Sequence, residues 1–110
     1  MSIKYLLTAP PALAVILFLV ALFAISAGSV AVPAGDTLAI LTAKLRGAEP
    51  AADPAVTDII WTLRVPRVLL AMTTGAGLAL AGVVMQASVQ NPLAEPFILG
   101  IASGASVGAT

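Results

Sequence analysis

Arg64-Val65-Pro66-Arg67 opens, and Asn91-Pro92-Leu93-Ala94-Glu95-Pro96 closes, a run from Val68 to Val89 that carries no charge at all. About 22 uncharged residues make roughly 33 Å of helix, enough to cross a hydrocarbon core of about 30 Å. Within the run Ala71, Gly75 and Ala79 recur at steps of four, with Gly77, Ala81 and Gly82 beside them. Small residues at this spacing let helix backbones approach closely, which is how helices associate in lipid. The stretch therefore reads as a membrane span buried among other helices. Gln86, Ser88 and Gln90 mark its polar end, and Asn91-Pro92 is a turn signal. Pro66 disfavours helical geometry in the residue before it, so it is expected to end whatever helix precedes the span.

Composition agrees with a lipid environment. The chain has 110 residues, 60% hydrophobic and only 9% charged, against about a quarter charged in soluble domains. Five basic residues balance five acidic ones, which leaves no electrostatic footprint for nucleic acid. Cysteine and histidine are both absent, so a disulfide framework, thiol chemistry and the usual zinc or haem ligands are excluded. No cofactor is implied. The fold class is all-α, with polytopic transmembrane helices.

A first span lies upstream. Pro10-Pro11 is suited to a helix start, and residues 11–32 hold no charge and are long enough to cross. A signal peptide is the rival reading, since Lys4 precedes the run and Ala27, Gly28 and Ser29 follow it, but its apolar core should be only about 7–15 residues. This span is bulky (Val15-Ile16-Leu17-Phe18-Leu19-Val20), and reads as the more lipid-facing of the two.

Residues 33–66 form a polar connection. Asp36 suits an N-cap, Leu38, Leu41 and Leu45 fall on one helical face, and Gly47 sits where a glycine ends a helix. Asp53 followed by Pro54 signals a second helix start. Trp61 stands where the next apolar run begins, as interfacial tryptophans do.

The second span covers residues 67–90 and a turn covers 91–96. A third helix is expected over 97–110, with Gly100, Gly104 and Gly108 in one row of packing residues. About 15 residues from Pro96 reach only ~22 Å, short of a crossing, so the third helix reads as the start of one and the chain as the N-terminal fragment of a longer polytopic protein.

From Ile59 onward the chain resembles the FecCD-type permeases, membrane subunits of ATP-binding-cassette importers for iron-siderophores, haem and cobalamin. The resemblance rests on Trp61-Thr62-Leu63-Arg64-Val65-Pro66-Arg67, on Gly75-Ala76-Gly77-Leu78-Ala79-Leu80-Ala81-Gly82 and Gln86, on Asn91 to Pro96, and on Leu99-Gly100 with Ser103-Gly104-Ala105. It implies a ten-helix subunit of the bacterial cytoplasmic membrane that works with a second permease copy, two cytoplasmic ATPase subunits and an extracytoplasmic substrate-binding protein. It implies further that Arg64 and Arg67 receive glutamates of the binding protein, and that Asn91, Pro92 and Leu93 belong to a cytoplasmic gate and turn. The function so implied is substrate passage, with ATP hydrolysed by a separate subunit.

Simpler readings stand beside these. An arginine pair at the end of a span also serves as snorkelling anchors, Asn91-Pro92 as a plain turn, and Glu95 as a favourable charge at a helix start. The resemblance puts segment 33–66 outside the cell, whereas Lys44, Arg46, Arg64 and Arg67 of the loop 33–67 would place it inside by the positive-inside rule. Two other functional classes compete. A small self-standing membrane protein would use its glycine rows to oligomerise, and a secondary transporter would hold charges within its spans. No charge falls inside any span here.

Overall fold

The computed structural model describes residues 3–110, and these are helical throughout their ordered elements. In chain order they form α1 (Ile3–Ser26), α2 (Ala34–Leu45), α3 (Pro54–Asp58), a π-helical turn (Ile59–Arg64), α4 (Val65–Val89), a 3-10 turn (Pro96–Leu99) and α5 (Ile101–Ala109). The segment from Pro54 to Val89 is one continuous helix of 36 residues, and with α1 it makes two helices long and apolar enough to cross a membrane. The most apolar stretch of α1 buries nothing against its own chain. A helix that is apolar all round and covers none of its own protein takes lipid or other helices as its surroundings.

Internal packing divides the chain into residues 1–69 and residues 70–110. The core of the first unit is Ile25, Val32, Ile40 and Ile60, with Leu41, Val56 and Val65 against it. Burying Ile40 and Ile60 completely is worth about 1.5–3 kcal/mol each relative to leaving them in water. Helix α2 packs on α1 and on the π-helical turn through Thr37 and Ile40, both fully buried, while Leu38 and Leu45 are exposed. The buried stripe is thus offset from the expected Leu38–Leu41–Leu45 face. Its register is set by Ile40, which meets Ile25 and Ile60 in the core, and only Leu41 of the three leucines borders it.

Both ends of the connection are made as their residue types dictate. Gly47 takes φ 71°, and the N–H groups of Gly47 and Ala48 bond to the carbonyls of Lys44 and Ala43 (3.1 and 2.8 Å), which satisfies the last carbonyls of α2 in a Schellman motif. At the start of α3 the Asp53 carboxylate accepts from the Ala55 N–H at 2.9 Å, with Pro54 in the first turn. Asp36, expected as the cap of α2, lies instead in its first turn, and Pro33 occupies the cap position. There the carboxylate still faces the positive end of the helix dipole.

Three expectations about prolines and glycines are corrected. Helix α1 starts at Ile3 and carries Pro10 and Pro11 inside it. The bonds these prolines forgo would have gone to the carbonyls of Leu6 and Leu7, within the first turns of the helix. The same helix ends at Ser26, before residue 32, where Ala27-Gly28-Ser29 turns the chain toward α2. Pro66 does not end the preceding helix either. A proline ring collides with the carbonyl four residues back, and the π-helical turn widens the backbone just there: the Val65 N–H bonds to the Ile60 carbonyl, five residues back.

In residues 70–110, α4 ends with Gln90 at φ 54°, a left-handed conformation uncommon outside glycine. The Asn91 N–H reaches back to the Gln86 carbonyl at 3.2 Å. The third helix is broken at its base. Pro96–Leu99 is a 3-10 turn, Gly100 has φ 85°, and only from Ile101 does α5 run. Gly100 is therefore the cap where the 3-10 turn passes into α5, and its carbonyl accepts the Gly104 N–H at 2.9 Å.

Candidate functional site

The π-helical turn ends on Arg64 and so aims it at the open end of α1. One terminal nitrogen, Nη1, donates to the carbonyls of Ile25 (2.9 Å) and Ser26 (3.0 Å), and Nη2 donates to Val30. The last carbonyls of a helix have no partners within it and carry the negative end of its dipole. Helix α1 has no basic residue in its own last turn. Arg64, from 38 and 39 residues further along the chain, supplies the missing cation.

Arg67 stands three residues on, at helical spacing, and both arginines line one recess of about 470 Å³ with Ala27, Gly28 and Leu63. The structure thus brings the pair together, but in different states. Arg64 is half-buried, whereas Arg67 is exposed and no hydrogen bond holds it among the described residues. Such a recess offers a cation over an apolar floor, which suits a carboxylate arriving from outside.

The second expected site, Asn91 to Leu93, is a closed turn. The Asn91 side-chain oxygen accepts from the Leu93 N–H at 2.9 Å, and the Asn91 carbonyl accepts from the Ala94 N–H at 3.1 Å. Gln86 of α4 donates its side-chain amide to the Pro92 carbonyl at 3.0 Å and ties the turn to the helix. Leu93 is 83% exposed at the tip. An apolar side chain so placed is free to meet another protein surface.

The small residues are open. A Cβ added at Gly75, Gly77, Gly104 or Gly108 meets nothing within 4 Å, and Ala71 and Ala79 are exposed. Gly82 alone of the expected packing set faces a neighbour, with Pro96 Cγ 3.6 Å from such a Cβ. Within this chain the rows of α4 and α5 are therefore unfilled.

Two residues without an expected role hold the sites in place. At Gly28 an added Cβ would come 2.6 Å from Arg64 Nη2 and 2.8 Å from Cζ, so the absence of a side chain makes room for the guanidinium. Gln86 fastens the turn. Gly28 gave only a small-residue signal in Ala27-Gly28-Ser29, and nothing local joins it to a residue so far along the chain.

The model of the FecCD transport family matches residues 14–110. Among relatives, a Bacillus subtilis protein named as an uncharacterized ABC transporter permease, YvrB, is 53% identical over 57 residues, which is 52% of this chain and 16% of that protein. The molybdate import system permease MolB of Haemophilus influenzae is 48% identical over 58 residues (53% of this chain, 17% of MolB). The vitamin B12 import system permease BtuC of Klebsiella pneumoniae is 57% identical over 49 residues (44% of this chain, 15% of BtuC). The chain thus spans under a fifth of the length of these relatives. No solved structure matches it significantly. The family match takes in α1 from Ala14 onward, the arginine pair, the Asn91 turn and α5 alike, and on that match the chain belongs to the FecCD transport family.

Proposed function

We propose that this chain forms part of the membrane-spanning permease subunit of an ATP-binding-cassette importer, and that its role is substrate passage and not catalysis. The observation that carries the reading is the family match across residues 14–110, which includes the first membrane-length helix from Ala14 onward and the whole of the second. In this reading the subunit is multi-pass in a bacterial inner membrane. It pairs with a second permease copy, with two cytoplasmic ATPase subunits and with a substrate-binding protein outside. The cargo proposed is an iron-siderophore, haem or cobalamin. The relative named for vitamin B12 import favours cobalamin, and the relative named for molybdate import favours a small oxyanion instead.

The recess holding Arg64 and Arg67 is the proposed docking point for acidic side chains of the binding protein, and the turn at Asn91, Pro92 and Leu93 the proposed cytoplasmic gate. The open rows of Gly75 and Gly104 are surfaces for neighbouring helices. Exposure of Arg67 beside an apolar recess supports the first assignment. Its test is a charge swap in the assembled importer. Arg67→Glu should weaken docking by about 2–5 kcal/mol if the ion pair is desolvated, and changing the partner's glutamate to arginine should restore part of the loss. If Arg67→Glu inserts normally and binds the unmodified partner as tightly as the parent, the docking assignment fails.

A further inference from the structure

Arg64 has donors to spare only on one edge. A guanidinium carries five N–H groups, and three are already given to the carbonyls of Ile25, Ser26 and Val30. A Cβ at Gly28 would be 2.6 Å from Nη2, 2.8 Å from Cζ and 3.1 Å from Nε; with Cζ nearer than Nε, it is the flat face of the guanidinium that lies over Gly28. The group is therefore enclosed by the end of α1, the bend after it and a residue with no side chain. Arg67, on the same recess, is exposed.

We propose that Arg64 is a positioning residue: it caps α1 and locks its end against the π-helical turn, with Gly28 as the space it fits. The clamp does not rest on the importer reading.

The chain has no cysteine, so a pair placed at Ser29 and Leu63, both on the recess, reports the distance between the end of α1 and the turn. In membranes containing the full chain, a short bifunctional maleimide should join Ser29→Cys to Leu63→Cys readily. Arg64→Gln should slow joining about fivefold or more, as loss of a favourable cation at a helix end implies, and Arg64→Lys should recover part of it. Gly28→Ala should slow joining while Arg64 is present and add nothing in the Arg64→Gln chain, because both changes remove one interaction. That non-additivity separates a clamp from general damage, and Gly28→Ala and Arg64→Lys keep the test open if Arg64→Gln does not accumulate. Arg67→Gln should leave joining at the parent rate. Equal effects of Gly28→Ala with and without Arg64, or parent-like joining in Arg64→Gln, overturn the clamp. If the clamp behaves as stated while Arg67→Glu has no effect on partner binding, the importer docking reading fails and the clamp survives.

Discussion

At Gln90 a non-glycine residue is held at φ 54° so that the Asn91 N–H can close the end of α4 on the Gln86 carbonyl. The left-handed region costs an ordinary residue about 1–2 kcal/mol. Gln90→Gly should therefore raise stability by up to about 1 kcal/mol, after allowing for the extra freedom of glycine in the unfolded chain. Gln90→Val, branched at Cβ, should lower it by about 1–2 kcal/mol. The midpoint of detergent-induced loss of helicity measures both; equal midpoints for the two variants would show that the backbone is unstrained there. The Asp53 cap is a separate residue-scale contribution. Asp53→Ala removes the acceptor of the Ala55 N–H and should cost about 1 kcal/mol by the same measurement.

The long helix from Pro54 to Val89 is uninterrupted because its awkward residue is met by a change of helical pitch. Pro66 denies the backbone one N–H, and the Val65 to Ile60 bond takes up the slack at five residues. In Pro66→Ala the restored N–H can bond the Thr62 carbonyl, which favours an α-helical path. Removing one residue's worth of winding turns everything upstream by about 100° relative to α4. Val65 and Val68, which pack from α4 on the core around Ile60, would then turn away from it, and the half-exposed Trp61 in the re-wound turn would change its surroundings. Trp61 is the only tryptophan, so its emission maximum and its quenching by a water-soluble agent report the rotation. An unchanged Trp61 in Pro66→Ala would mean that the buried Ile60 contact, and not the proline, holds the π-helical turn.

Across the whole molecule, burial is concentrated in the segment joining the two long helices and nearly absent along them. Among the described residues five apolar ones are buried, four of them around α2 and the π-helical turn and the fifth, Met85, near the end of α4. The glycine rows face open space in the chain, so their substitution separates internal stability from assembly. Gly75→Leu should leave the helicity and insertion of this chain unchanged, yet reduce assembly with neighbouring helices and transport by the complete importer. If Gly75→Leu assembles and transports like the parent, α4 does not pack through that row.

The sequence by itself determined the helical class, the two membrane-length segments and the polar connection between them, because a run of about 22 uncharged residues has few other stable forms in lipid. It also determined the local punctuation: Gly47 ends α2, Asp53-Pro54 starts α3, and Asn91-Pro92 turns the chain, each through contacts within a few residues. Only the tertiary structure decided which face of α2 is buried, because Ile40 is chosen by Ile25 and Ile60 from distant segments. The passage of Pro10, Pro11 and Pro66 through continuous helix was likewise not legible, since local rules count the bond a proline loses and not the helix that continues on either side of it. The same holds for the arginines. Spacing alone makes Arg64 and Arg67 equivalent, and they differ because the carbonyls of Ile25 and Ser26, 39 and 38 residues away from Arg64, are brought within hydrogen-bond reach of it by the fold.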